Sequence, residues 1–138
     1  MAKSKKAKSG NEKNSIFVIA GKEQPMVNSA CDDLLNNLLE DDQREMCLYK
    51  ADPDKVTISQ VLDELRTLPF LADKRVVLLK QADMFISANR KIMEKYFDNP
   101  APKSTLILTT SSWRANTKLA KKLTKVGQLI KVAQPKPY

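Results

Sequence analysis

No histidine occurs in these 138 residues, and there are only three glycines, two cysteines and one tryptophan. The missing histidine removes the commonest general base and with it every Ser-His or Cys-His nucleophile pair, which argues against hydrolase chemistry of that kind. Cys31 and Cys47 stand 16 residues apart, outside any CxxC spacing, and without histidine they complete no familiar zinc ligand set. Two buried thiols are the expectation. The glycines are Gly10, Gly21 and Gly127, too few and too scattered for a phosphate loop of the GxxxxGK[ST] or the GxGxxG kind. No apolar run approaches the roughly 20 residues of a membrane span, and the lysine-rich start lacks the apolar stretch of a signal peptide. A soluble, cytoplasmic protein with no membrane partner is expected.

What is present suits one domain with a core of its own, since 42% of the residues are apolar. The net charge of +8 is unevenly spread. Residues 1–14 carry five lysines against Glu12, and residues 113–138 carry seven basic residues and no acid, which leaves an excess of acid between them. Basic ends on an acidic body suggest anionic partners, nucleic acid first. Lysine mixed with Ser, Gly and Asn also describes a solvated, disordered tail, and residues 1–14 are read that way.

From residue 15 the pattern alternates. "SIFVIAG" is a short apolar run ending in glycine, a buried strand. In "KEQPMVNSACDDLLNNLLEDD", Pro25 suits a first helical turn, and Met26, Val27, Ala30, Leu34, Leu35, Leu38 and Leu39 share one face. "EMCLYKA", residues 45–51, reads as a second strand. Thr57 caps a helix whose Ile58, Val61, Leu62 and Leu65 fall at helical spacing, with Pro69 marking where it has to end. "RVVLLK" is a third strand, and a helix around Ile92, Met93, Tyr96 and Phe97 follows. "STLILTT" is the fourth strand, Leu119, Leu123 and Val126 lie on a fourth helix, and "QLIKV" is the fifth strand. Five strands alternating with four helices predict a three-layer α/β domain over 15–133, a parallel sheet with helices on both faces. The closing "AQPKPY" looks like the start of a linker, 134–138, to domains absent from this chain.

Ligands of such sheets bind beyond the carboxyl ends of the strands. After the first strand, "GKEQPM" has one glycine, a lysine placed too early, Glu23 where a phosphate would sit, and Pro25 without an N–H. After the third strand comes "KQAD" in place of paired carboxylates for magnesium, and Asp83 is read as capping or solvating its turn. Thr109 and Thr110 stand where a polar sensor could meet a phosphate, but without loop and acids they read as turn formers. Lys118, Lys121, Lys122 and Lys125 on the fourth helix form a solvated face that could also meet a phosphate backbone. Trp113, just before it, reads as core or hinge packing. No catalytic residue, metal ligand, nucleotide-binding residue or cofactor emerges.

One stretch is left over. "TLPFLADKR" sets Leu68, Phe70 and Leu71 around Pro69, between a helix and a strand whose apolar faces are already complete. Adjacent side chains on an extended segment point to opposite sides, so Phe70 and Leu71 do not easily share one core. Leaving both in water forfeits roughly 1.5 to 3 kcal/mol each. Either Phe70 folds back over the helix end while Leu71 packs under a loop, or the pair forms an exposed knob for a partner, rimmed by Asp73, Lys74 and Arg75. The residues alone leave both open.

At this point the chain resembles a known family. "IFVIAGKEQPMVNSACDDLL", "VLDELRTLPFLADKRVVLLKQAD", "DNPAPKSTLIL" and "KLAKKLTKVGQLIKVAQPKP" are similar to the amino-terminal domain of the bacterial DNA polymerase III delta subunit, a clamp-loader component. The most specific part is the helix-to-strand joint: leucine, a small residue or proline, two apolar residues, alanine, an acid or serine, then basic residues. Leu68 to Arg75 supply that order. The resemblance implies an AAA+-like (P-loop-like) fold with a degenerate nucleotide site and no ATPase of its own. It implies binding to the sliding clamp (beta subunit) by insertion of Phe70 and Leu71, with Leu68 in support, and help in opening the ring during DNA replication. Other clamp-loader subunits would be met through the absent domains. A nucleic-acid-binding α/β module using the basic tail and the last helix is the alternative, and a degenerate nucleotide-binding enzyme domain the third reading.

Overall fold

The computed structural model describes residues 15–67 and 74–132. Leu68, Phe70 and Leu71, the basic tail and the final stretch therefore lie outside the described residues. The described chain runs β1 (Ile16–Ala20), α1 (Gln24–Leu38), α2 (Asp41–Cys47), β2 (Leu48–Ala51), α3 (Ile58–Arg66), β3 (Arg75–Leu79), α4 (Asp83–Ala88), α5 (Arg90–Asp98), β4 (Ser104–Thr110), α6 (Lys118–Val126) and β5 (Gly127–Lys131). The five strands form one sheet in the order β2-β3-β4-β1-β5, and every pair is parallel.

The central strands are apolar on both faces because both faces are covered. On one side Ile16 and Val18 of β1, Val77 and Leu79 of β3 and Leu106 and Leu108 of β4 meet Val61 and Leu65 of α3, Phe85 and Ile86 of α4, Met93, Tyr96 and Phe97 of α5 and Leu119 and Leu123 of α6. On the other, Phe17, Ile19, Val76, Leu78 and Ile107 meet Val27, Cys31 and Leu35 of α1, with Leu39 and Cys47 beside them. The alternation along each strand sorts its residues into two cores, giving the three layers the sequence predicts.

Two connections differ from the strict alternation. Residues 45–47, read as strand, close the separate helix α2, and the strand begins only at Leu48. The cause is local: the Glu40 N–H donates to Gln43 Oε1 at 3.0 Å, and Asp41 and Asp42 occupy the first turn, where acids suit the helix dipole. Between β3 and β4 one expected helix is two. At Asn89 the helix breaks, with its amide Nδ2 donating to Phe85 O at 2.9 Å and its carbonyl accepting from Met93 N at 3.0 Å. Ile92, expected on the core face of α5, is 43% exposed.

β5 follows α6 with no loop at all. A Cβ on Gly127 would lie 1.9 Å from Ile16 O, so glycine is what lets the helix end pass directly into a strand paired with β1. Cys31 and Cys47 are free and buried, as expected. Desolvation by burial pushes the Cys31 thiol up from its ordinary value, so it stays protonated.

Candidate functional site

The leftover stretch joins α3 to β3 at the amino edge of the sheet, the edge opposite to where α/β sheets hold ligands. Its two ends are described, and both are pinned. α3 starts with a capping box in which Thr57 accepts from Gln60 N and Gln60 Oε1 accepts from Thr57 N. It ends at Arg66, and Thr67 Oγ1 donates back to Asp63 O at 2.6 Å. Ser104 Oγ, buried at the start of β4, donates to Leu65 O, and the Arg66 guanidinium lies over the Tyr96 ring, 5.8 Å from its centroid. Burial raises the Tyr96 hydroxyl above its ordinary value, and its oxygen accepts from Ala101 N at 3.1 Å.

The β3 end is held by its basic residues. Lys74 Nζ donates to Leu38 O at 2.8 Å, placing a cation at the carboxyl end of α1, whose own last turn has none. Arg75 Nη1 lies 3.5 Å from Glu64 Oε1 on α3, and Arg75 N donates to Lys103 O at 3.1 Å. The six residues between Thr67 and Lys74 thus start and finish on anchors tied to α1, α3, α5 and β4. Lys74 and Arg75, expected with Asp73 on the rim of the knob in one of the two readings, both hold the scaffold here, and the knob lies outside the described residues.

At the carboxyl edge, β1 and β4 are neighbours whose next helices, α1 and α6, lie on opposite faces, which makes the crevice between them the switch point of the sheet. The β1–α1 connection is three residues, Gly21, Lys22 and Glu23. The Gly21 N–H donates to Thr110 O at 3.0 Å, closing the crevice from β1 to β4. A Cβ on Gly21 would meet Val132 and Val27 at 3.0 Å, so side chains of this protein fill the space beside it.

Thr109 and Thr110 are strand residues and buried, not turn formers. Thr109 Oγ1 accepts from Gln81 N at 2.8 Å and Thr109 O from Ala82 N at 2.8 Å, so β4 organises the end of β3. Asp83 does not cap its own turn: its carboxylate accepts from Ser111 N at 3.0 and 3.1 Å and from Ser111 Oγ at 3.2 Å, tethering the loop after β4. Beside that tether opens a cleft of about 480 Å³ lined by Asp83, Ile86, Ser87, Arg90, Thr110, Ser112, Trp113, Arg114 and Thr117. Trp113 also packs against the larger core, as the sequence suggested. On α6, Lys118, Lys121 and Lys125 are exposed, while Lys122 pairs with Asp98 of α5 at 2.6 Å.

The sheet order, the two covered faces and the switch point are those of the AAA+ fold, and the solved structures this chain resembles carry it. The Bacillus subtilis DNA clamp loader delta protein superposes with a TM-score of 0.74 at 19% identity, over 94% of this chain and 41% of that one. A Thermotoga maritima DNA polymerase III gamma subunit-related protein gives 0.65 at 15% identity, over 97% and 46%. The Thermotoga maritima RuvB Holliday junction branch migration motor gives 0.55 at 12%, over 93% and 41%. The chain thus spans less than half the length of these proteins. A comparison with curated proteins finds no match. The sequence profile of the DNA polymerase III delta subunit matches residues 17–133, and the chain belongs to that family.

Proposed function

We propose that this chain is the clamp-binding domain of a clamp-loader delta subunit, acting in the cytoplasm during DNA replication without ATPase activity of its own. Phe70 and Leu71 are the inserted pair and Leu68 their support. In the free protein the pair costs the hydration of exposed apolar surface, and a pocket on the sliding clamp relieves it. Part of that binding energy goes into strain at one ring interface, which shifts the clamp toward its open state. The remaining loader subunits are met through domains beyond this chain.

The observation that carries the reading is the family match over residues 17–133, which includes the Leu68-to-Arg75 order. The anchors on either side support it, because a rigid frame at both ends limits the ordering entropy lost on binding. At the opposite edge, the short β1–α1 connection and the hydrogen bonds of Gly21 to Thr110, Gln81 to Thr109 and Ser111 to Asp83 support a non-catalytic role.

The test is F70S combined with L71S, checked for folding by circular dichroism and measured against the cognate clamp and against DNA. Loss of two buried apolar side chains predicts a fall in clamp affinity of about a hundredfold or more. Unchanged affinity in the folded double variant sinks the reading. Tight, salt-sensitive DNA binding with no clamp binding would replace it with the nucleic-acid module, read through Lys118, Lys121 and Lys125. Hydrolysis of ATP that depends on Lys22 would overturn the non-catalytic part.

A further inference from the structure

We propose that the cleft at the carboxyl end of β4 binds the phosphate of a nucleotide, at a place separate from the end of β1 where a phosphate loop would lie. The cleft is walled by α4, the first residue of α5 and the connection from β4 to α6. Two arginines, Arg90 and Arg114, line it from different elements, and among the described residues neither takes part in an ion pair. The one acid in the wall, Asp83, has its carboxylate engaged by the backbone and hydroxyl of Ser111. Positive charge is therefore in excess and uncommitted.

Guanidinium suits phosphate better than ammonium does, because its planar fork gives two parallel donors. The hydroxyls of Ser87 and Ser112 in the same wall add donors that no other described residue uses. α6 begins at the cleft, with Thr117 as its N-cap accepting from Ala120 N at 3.1 Å, so the positive end of that helix dipole lies at the wall. The independent sign of a missing ligand is Thr110. It is 2% exposed, contributes to the wall, and its Oγ1 has no hydrogen-bond partner. Buried hydroxyls are nearly always paired, and a ligand oxygen in the cleft would supply the partner.

The volume, about 480 Å³, accommodates a mononucleotide, and Trp113 in the lining is an aromatic residue of the kind on which a base stacks. A free nucleotide and a nucleotide of a single strand share this chemistry.

Trp113 is the single tryptophan of the chain, so its emission reports on this cleft directly. The whole chain is titrated with ADP, with inorganic pyrophosphate and with a short single-stranded oligonucleotide. A saturable change with ADP or with the oligonucleotide, weakened about tenfold or more in R90Q and in R114Q and less in Thr110→Val, is the expected result. Lys22→Ala should leave it unchanged, since that lysine belongs to the β1 end. Whichever of ADP and oligonucleotide saturates at lower concentration identifies the source, and weaker binding of pyrophosphate measures what the base adds. Arg114 is exposed, so R114Q decides the matter even where R90Q disturbs packing. No saturable change with any of the three, or one that survives both arginine substitutions, overturns the proposal.

Discussion

The two edges of this sheet use their polar groups differently. At the carboxyl edge Gly21 N donates to Thr110 O, Gln81 N and Ala82 N to Thr109, and Ser111 N to Asp83, across strand ends that in a ligand-binding α/β fold would face the ligand. At the amino edge the polar contacts bridge distant elements: Lys74 reaches Leu38, 36 positions away, and Ser104 reaches Leu65, 39 away. The carboxyl edge ties its strand ends to one another and leaves one cleft beside Thr110; the amino edge holds the two ends of a six-residue segment.

The strongest way to break that contrast is Gly127→Ala. The added Cβ would lie 1.9 Å from Ile16 O and 2.9 Å from Leu123 Cδ1, and the first of these is strand backbone that cannot give way. A loss of about 3 kcal/mol or more is expected in urea denaturation, at the upper end of overpacking costs. A loss under about 1 kcal/mol would mean that β5 shifts freely and that the amino edge is no rigid frame.

A matched pair comes next. Ser104→Ala leaves Leu65 O at the end of α3 without its donor, and Thr109→Val leaves Gln81 N without its acceptor. Each is expected to cost about 1 to 3 kcal/mol. Clamp affinity should fall only with Ser104→Ala, because only that contact borders the joint. Equal effects on the clamp would erase the distinction between the edges.

Lys74→Met is milder in stability. Removing a cation from the end of α1 costs about 0.5 to 1 kcal/mol. Its clamp affinity is expected to drop by about threefold to tenfold, as one anchor of the segment loosens. Lys74→Arg should restore most of it, which a nonspecific loss of folding would not allow.

How far the sequence foretold these edges depended on which interactions were local. β4, Ser104–Thr110, and the Thr57 cap were legible because period and capping chemistry sit within a few residues. α2 was missed because Met46 and Cys47 next to Leu48 imitate a strand, while the cue for a helix lay earlier, in Glu40, the two aspartates and Gln43. Asp83 and Thr109 were misread for a different reason. Their partners, Ser111 and Gln81, lie 28 positions away and come within reach only once β3 and β4 are paired. The same holds for the cleft, whose arginines stand on separate elements, 24 residues apart in sequence. The Leu68, Phe70 and Leu71 assignment came from surplus hydrophobicity and family resemblance, and rests on the binding experiment.

The smallest expected effect is also the one that sharpens the contrast most. Gln81 follows β3 with a φ of 54°, the described non-glycine residue in the left-handed region, where an L side chain costs about 1 to 2 kcal/mol. The conformation aims its N–H at Thr109 Oγ1, so the strain is tied to the bond that closes the carboxyl edge. Gln81→Gly removes the steric cost and adds unfolded-state entropy of about 0.5 to 1 kcal/mol, leaving a net gain of about 0.5 kcal/mol in unfolding free energy, read as a higher urea midpoint. A gain with unchanged clamp binding means that the edge needs only the backbone geometry at this position. A clear loss would mean that the Gln81 side chain, and not only its backbone N–H, takes part in tying the strand ends together.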